Sequence, residues 1–219
     1  MLRPEAVMVS LLLLLLLWAG PGPCEVERKE PPPCKEGREC LPYTVLCHGD
    51  GYQARRYPAS SWVGTRFNSS DYTPALFRGF WRLFRYIQGA NERQVKIPMT
   101  APVLARVEDG QEGQGINVYF MLPEAFQEDP PTPTDQTVYL ERFPPQEVYV
   151  RFFGGWMTDW TLQVQLRSLD AKLQEAGRAT QAGLYYTAGF NSPWEVVGRR
   201  NEVWRIAQGE LGCGSTLEE

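Results

Sequence analysis

Histidine is nearly absent from this sequence, which contains His48 alone among 219 residues. One histidine leaves no Ser-His-Asp or Cys-His arrangement to assemble, and no HExxH, P-loop or GxGxxG motif occurs. A pair of carboxylates acting as acid and base is the remaining catalytic alternative, because 26 Asp and Glu residues always leave some pair close together. We therefore expect a protein that is not an enzyme.

Basic runs and a second long apolar run are also missing. The net charge of −4 gives no general attraction to DNA or RNA, so nucleic-acid binding is not expected. The single long apolar stretch, residues 7–19, includes seven consecutive leucines and follows Arg3. Its length falls short of the roughly 18 to 20 residues that span a bilayer. It predicts a signal peptide over residues 1–23 and a secreted, extracellular chain without a membrane span, with an uncleaved anchor as the alternative.

The five cysteines contain no CxxC pair, and the single histidine adds little to a zinc site, which is the competing interpretation. In an oxidising compartment, disulfides are the expected state. Several pairings are open. We favour Cys47 with Cys213, which ties together the two ends of the domain, and Cys34 with Cys40, which closes a small loop. Cys24 is then left over or pairs with another chain.

Composition divides the remaining chain into three parts. Residues 24–41 are charged and rich in proline, which is typical of a tethered linker. Residues 42–209 have the apolar patterning of one domain, and residues 210–219 form a tail. Asn68 begins the only Asn-X-Ser/Thr glycosylation sequon, in the loop before the first predicted helix.

Periodicity predicts two helices and eight strands within this domain. The first helix lies between a cap at Ser70 or Asp71 and a left-handed Gly89, and the second covers residues 158–176. The predicted strands, one of them interrupted by Pro98 and Pro102, cover residues 52–57, 60–67, 96–107, 116–122, 137–141, 147–154, 184–189 and 201–208.

The two halves of this pattern repeat. The first helix carries an apolar stripe at Leu76, Phe80, Leu83 and Ile87, and 86 positions later the second carries Leu162, Leu166, Leu169 and Leu173. The order strand, strand, helix, strand, strand also recurs, which indicates an internal duplication. We expect an α+β fold with pseudo-two-fold symmetry, in which a curved antiparallel sheet or distorted barrel has both helices outside.

One side of the first helix breaks this symmetry. Phe77, Trp81 and Phe84 lie beside its core stripe, whereas polar residues occupy the equivalent positions of the second helix. These rings either pack under a loop or sheet edge, or receive a flat, apolar, anionic ligand whose charged edge meets Arg78 or Arg85. The asymmetry favours one ligand site and not two.

Five ordered motifs resemble the SOUL haem-binding protein family across about residues 42–208. They are YQARRYP at 52–58, RLFRYIQGAN at 82–91, KIPMTAPV at 96–103, YYTAGFNSPW at 185–194 and RRNEVW at 199–204. The resemblance implies a distorted antiparallel barrel with two flanking helices, and noncatalytic binding of haem or another tetrapyrrole in an apolar cleft. The leader and the cysteines are unlike the best-known intracellular members, so the chain resembles a secreted branch.

The iron ligand of one branch, a histidine directly before the tyrosine of the first motif, is replaced here by Arg56. His48, Met99 and Tyr57 could ligate iron, but we interpret the first as a surface residue and the other two as packing residues. Other family members are thought to hold tetrapyrroles without a strong iron ligand. For that mode we predict that Arg85 meets a propionate and that Trp194 closes over the ligand from its loop. The face for the macrocycle would come from four rings, those of Phe77, Phe80, Trp81 and Phe84. The alternative is an extracellular protein-interaction module that kept the fold and lost haem.

Overall fold

The structure is a computed structural model and describes residues 34, 38–110, 113–192 and 194–213. The predicted signal peptide, Cys24 and the end of the predicted tail lie outside these residues. The described part contains nine strands, a short 3-10 turn and two helices. The strands are β1 (Thr44–Gly49), β2 (Tyr52–Tyr57), β3 (Ser60–Phe67), β4 (Val103–Gly110), β5 (Gly113–Met121), β6 (Val138–Phe143), β7 (Gln146–Phe153), β8 (Leu184–Gly189) and β9 (Asn201–Ile206), and the helices are α1 (Tyr72–Ile87) and α2 (Asp159–Glu175).

All nine strands form one antiparallel sheet in the order β1-β2-β7-β9-β8-β4-β5-β3-β6. The sheet curls into a half-barrel with the helices on its outer face, which confirms the predicted α+β class. Two apolar layers result, one between the sheet and the helices and one inside the curl. No described helix is both long and apolar enough to cross a bilayer.

The duplication is visible in the strand bounds and in the sheet order. An offset of 86 residues takes β2 onto β6 and β3 onto β7 without a shift at either end. When each strand is replaced by its equivalent in the other half, the sheet order from β2 to β6 reads the same in reverse; β1 has no equivalent. A pseudo-two-fold axis therefore passes between β8 and β4. The register obeys the same operation, because the pair Tyr57 and Gln146 maps onto Phe143 and Ser60. The predicted internal repeat is confirmed.

Helix ends follow their sequence signals with one difference. Thr158 caps α2 through its hydroxyl, which accepts from the Thr161 amide at 3.2 Å. Asp71 occupies the cap position of α1 but makes no side-chain cap hydrogen bond. Gly89 has the predicted positive φ, 116°, just after α1, where a residue with a Cβ would be strained.

Two strand predictions were wrong. The strand expected at residues 96–107 begins only at Val103, because the Pro98 and Pro102 region runs irregularly and Thr100 bonds through its hydroxyl to the Met121 carbonyl at 2.7 Å. The strand β1 was missed, which raises the count from eight to nine. It pairs with β2 at the sheet edge.

The two favoured disulfides are both present. Cys47, on β1, joins Cys213, and Cys34 joins Cys40. The last residues of the predicted linker contact the domain, because the Leu41 amide donates to the Ala101 carbonyl at 3.0 Å and the Ala101 amide donates to Glu39 at 2.9 Å. Residues 39–41 are therefore held just before the start of β4.

Candidate functional site

The seating of α1 on the sheet determines which of its side chains face outward. Small residues, Ala75 and Gly79, lie against β5, and a Cβ on Gly79 would come within 2.6 Å of the Val118 Cγ2 atom. Because the helix approaches so closely there, the larger Leu76 and Phe80 are pushed to the side and are only half-buried. The predicted core stripe is therefore correct for Leu83 and Ile87 but not for its first two members.

In α2 all four predicted stripe leucines are buried against the sheet. The two helices therefore differ in rotation as well as in sequence. The rotation of α1 increases the exposure of its aromatic side.

This aromatic side forms a continuous surface that we call the aromatic ledge. Its rings contact each other at centroid distances between 5.6 and 6.3 Å, and its members are Phe77, Phe80, Trp81 and Phe84. Phe80 anchors the ledge, since its ring lies 5.3 Å from that of the buried Phe120 on β5. Phe77 remains 65% exposed and Trp81 44% exposed. The ledge thus has a fixed base and an open apolar surface, which a planar ligand could cover.

The three helix arginines have different surroundings. Arg78 and Arg82 lie over the Phe67 ring on the far side of α1, and Arg82 also donates to the Thr65 hydroxyl at 2.8 Å. The Arg85 side chain is 64% exposed, and its ion pair with Asp135 is long, at 3.9 Å. Arg85 is therefore the helix arginine best placed to exchange its partner for a ligand carboxylate.

Asp135 remains a competitor for that exchange. Hydrogen bonds from the Thr137 hydroxyl and amide hold the pKa of Asp135 below its ordinary value, and the charges of Arg82 and Arg85 lower it further. Asp135 is thus ionised at neutral pH. A ligand carboxylate must replace a weak, solvent-screened ion pair, which costs little.

The loop between β8 and β9 begins at the end of the sheet that the ledge overlies. Phe120 pairs with Val103, which pairs in turn with Gly189, the last residue of β8. The loop starts two strands away from the anchor of the ledge. Trp194 lies in this loop and is 87% exposed. The structure places Trp194 on an exposed loop, and its contact with a ligand on the ledge stays a prediction.

The three candidate iron ligands lie apart from each other. His48 is exposed on the edge strand β1, where its ring bonds to Gln53 at 2.9 Å. Tyr57 is inside the half-barrel, stacked on Trp204 at 4.7 Å, and burial raises its pKa. Met99 is half-buried against the core between the sheet and the helices. Across residues 38–110, 113–192 and 194–213, no group of three or more His, Cys, Asp or Glu residues could hold a metal ion.

The interior of the half-barrel is filled by side chains. Stacked and edge-on rings occupy it, including Trp62 and Phe143 at 5.4 Å and Tyr119 and Phe143 at 5.1 Å. A planar ligand therefore fits the outer ledge better than the interior.

The interior also contains an ion pair that the sequence analysis missed. Arg55 donates to Glu202 at 3.1 Å, and both side chains are fully buried. An aromatic residue two positions further along each strand joins the network: Arg55 donates to the Tyr57 hydroxyl at 3.1 Å, and the Trp204 indole donates to Glu202 at 2.9 Å. Arg200 also pairs with Glu202, at 3.0 Å. The spacing of these pairs, Arg-x-Tyr and Glu-x-Trp, places both members on one strand face and was the available signal.

These features define an α+β protein with a duplicated half-barrel and an exposed aromatic surface on α1 beside Arg85. The chain belongs to the SOUL heme-binding protein family, whose family model matches residues 38–206. It is 40% identical over 162 residues to heme-binding protein 2 of Homo sapiens, covering 73% of this chain and 79% of that protein. It is 31% identical over 176 residues to heme-binding protein 1 of Mus musculus, covering 77% and 92%.

Solved structures extend the fold beyond this family. The EcmrR C-terminal domain aligns with a TM-score of 0.53 at 11% identity, covering 72% of this chain and 96% of that one. A structure titled as a hydrolase from Listeria innocua aligns with a TM-score of 0.52 at 9% identity, covering 74% and 94%. At such identities these likenesses show a shared fold alone.

Proposed function

We propose that this protein is a secreted, noncatalytic haem- or tetrapyrrole-binding protein that holds the macrocycle against the aromatic ledge. The observation that carries the proposal is the exposure of Phe77 and Trp81 on a base anchored by Phe80. A macrocycle that covers this exposed apolar area removes it from water, which stabilises the complex. Similarity to proteins named for haem binding supports the same ligand class.

The residues divide the work of binding between apolar contact and charge. The ledge rings provide the face, and Arg85 provides a guanidinium for a propionate. Trp194, which is 87% exposed on the β8–β9 loop, would add a second apolar contact when that loop closes over the ligand. Haem would supply iron chemistry when bound. None of His48, Tyr57 and Met99 belongs to α1, and Tyr57 is buried inside the half-barrel, so the proposed mode relies on the macrocycle and its propionates and not on an iron ligand.

Titration with hemin and with metal-free protoporphyrin IX tests this mode of binding. We expect both to saturate with similar affinity, followed by the Soret band for hemin and by tryptophan quenching for protoporphyrin. His48→Ala should leave both titrations unchanged. Loss of hemin binding in His48→Ala would contradict the proposal, because it would make His48 the ligand. Absence of saturable binding to either compound would favour the protein-interaction module.

Secretion and glycosylation form a separate part of the proposal. The predicted signal peptide supports export, and Asn68 is exposed in the loop between β3 and α1, where a glycan would meet no packed surface. Expression of the full chain in mammalian cells should place it in the medium with a glycan that peptide N-glycosidase F removes. Asn68→Gln should migrate like the deglycosylated protein. Retention of all the protein inside the cells would contradict the secretion proposal.

A further inference from the structure

A second exposed apolar surface lies beyond the aromatic ledge. Its five members, which are between 52% and 87% exposed, come from the end of β7, the β7–α2 turn and the β8–β9 loop, and we call it the apolar rim: Phe152, Trp156, Trp194, Val196 and Val197. Single exposed apolar residues are ordinary, but five in two adjoining segments indicate an interaction surface.

Direct contacts hold the two segments together. The Arg199 guanidinium lies 4.3 Å from the centre of the Trp156 ring, and Arg200 lies 5.0 Å from that of Phe152. Asn201 donates to the Gly155 carbonyl at 2.8 Å. The rim is therefore one surface whose arginines lie among its rings.

The β8–β9 loop turns its polar side chains inward. Asn191 donates to the Glu195 carboxylate at 2.9 Å, and the Ser192 amide donates to the same group at 3.3 Å. Arg199 donates to the Ser192 and Glu195 carbonyls at 3.0 and 2.7 Å. Because the Glu195 carboxylate already accepts hydrogen bonds within the loop, burial of Trp194, Val196 and Val197 does not also bury an unbonded carboxylate.

We propose that the apolar rim docks on the surface of a phospholipid bilayer. Tryptophan prefers the membrane–water interface, and Arg199, over the Trp156 ring, complements a lipid phosphate, whereas Arg200 is already paired with Glu202 at 3.0 Å. Arg199 forms no ion pair with a carboxylate among the described residues, so its charge is available for a phosphate. Val197 is 85% exposed, so most of its side chain is open to water, and an exposed apolar side chain on a loop can enter fluid lipid without a matching pocket. A protein partner would need such a pocket, so we favour the bilayer.

Co-sedimentation with vesicles, without haem, tests this proposal independently of tetrapyrrole binding. The full chain should bind phosphatidylcholine vesicles, and more strongly when they also contain phosphatidylserine, with the added part lost at high salt. Val196→Ser with Val197→Ser should weaken vesicle binding about tenfold. Leu140→Ser removes an exposed apolar side chain from β6 and should change binding by less than about twofold.

Quenching by brominated lipids supplies a second readout that needs no variant. Rim tryptophans that enter the interface should lose fluorescence in proportion to the bound fraction. The proposal would be overturned by wild-type protein that does not sediment with either vesicle, by binding without quenching, or by a double valine variant that binds like wild type. Self-association that the double variant abolishes, in the absence of vesicle binding, would assign the rim to a second copy of this chain and also overturn it.

Discussion

Removal of the Trp81 side chain should weaken tetrapyrrole binding by a calculable amount. A tryptophan side chain presents up to about 250 Å² of surface, and Trp81 is 44% exposed, so roughly 110 Å² is open to a ligand. At about 25 cal/mol per Å² this area contributes about 2.7 kcal/mol when covered, which corresponds to about a hundredfold in Kd. We expect Trp81→Ala to raise the Kd for hemin by between tenfold and about a hundredfold, since a ligand covers only part of the ring.

The twin helix offers a matched control. Arg167 lies 86 residues after Trp81, at the equivalent and exposed position of α2. Arg167→Ala should leave the hemin Kd within about twofold of wild type, because α2 has no ledge. Both variants should keep the wild-type circular dichroism spectrum. A Trp81→Ala protein that is folded and binds hemin as tightly as wild type would refute the assignment of the ligand to α1.

Three further predictions concern charge and stability. Arg85→Gln should weaken hemin binding about threefold at low salt, and less at high salt, because an exposed ion pair contributes little and is screened; equal loss at both salt concentrations would contradict this. Glu202→Gln should lower the free energy of unfolding in urea by about 3 kcal/mol, because the buried Arg55 loses its counter-charge and keeps only neutral acceptors. Glu147→Gln, in an exposed pair, should cost less than about 1 kcal/mol, and similar costs for the two variants would contradict the account. Cys47→Ser with Cys213→Ser should destabilise the protein by up to about 5 kcal/mol, whereas loss of the Cys34–Cys40 bridge should cost about 2 kcal/mol. The reason is that the first bridge closes a loop of 166 residues and the second a loop of only 6. In thermal unfolding, the first variant should therefore have the lower melting temperature.

Large apolar residues made most of the fold predictable. In α2, Leu162 and its three partners form one stripe, and only Trp160 and Val164 add large apolar residues elsewhere, so the leucine spacing identified the buried side. In α1, bulky residues occur on several sides and the sheet contact is made by Ala75 and Gly79. A prediction based on the spacing of large side chains does not detect a glycine that lets the helix lie close to the sheet. For this reason Leu76 and Phe80 were predicted to face the core, although Ala75 and Gly79 do so instead.

Partners distant in the chain account for the other differences. The strand β1 has no clear alternation and contains His48 and Cys47; it is held by pairing with β2 and by the disulfide to Cys213. The ion pair of Arg55 and Glu202 spans 147 residues and joins strands that are separated in the sheet by β7. Local spacing places Arg55 and Tyr57, or Glu202 and Trp204, on one strand face, but no local signal identifies which distant strands pair. The aromatic ledge, in contrast, is local to one helix, and its asymmetry between the repeats was readable directly.

Mapping the bound ligand tests the central claim most directly. Backbone amide shifts can be followed by NMR while diamagnetic gallium protoporphyrin IX is added to the isotopically labelled protein. We predict that the largest changes occur in α1 around Phe77, Trp81 and Arg85 and in the β8–β9 loop, while α2 remains unchanged. Changes centred on β1 around His48, or of equal size on both helices, would contradict binding at the ledge.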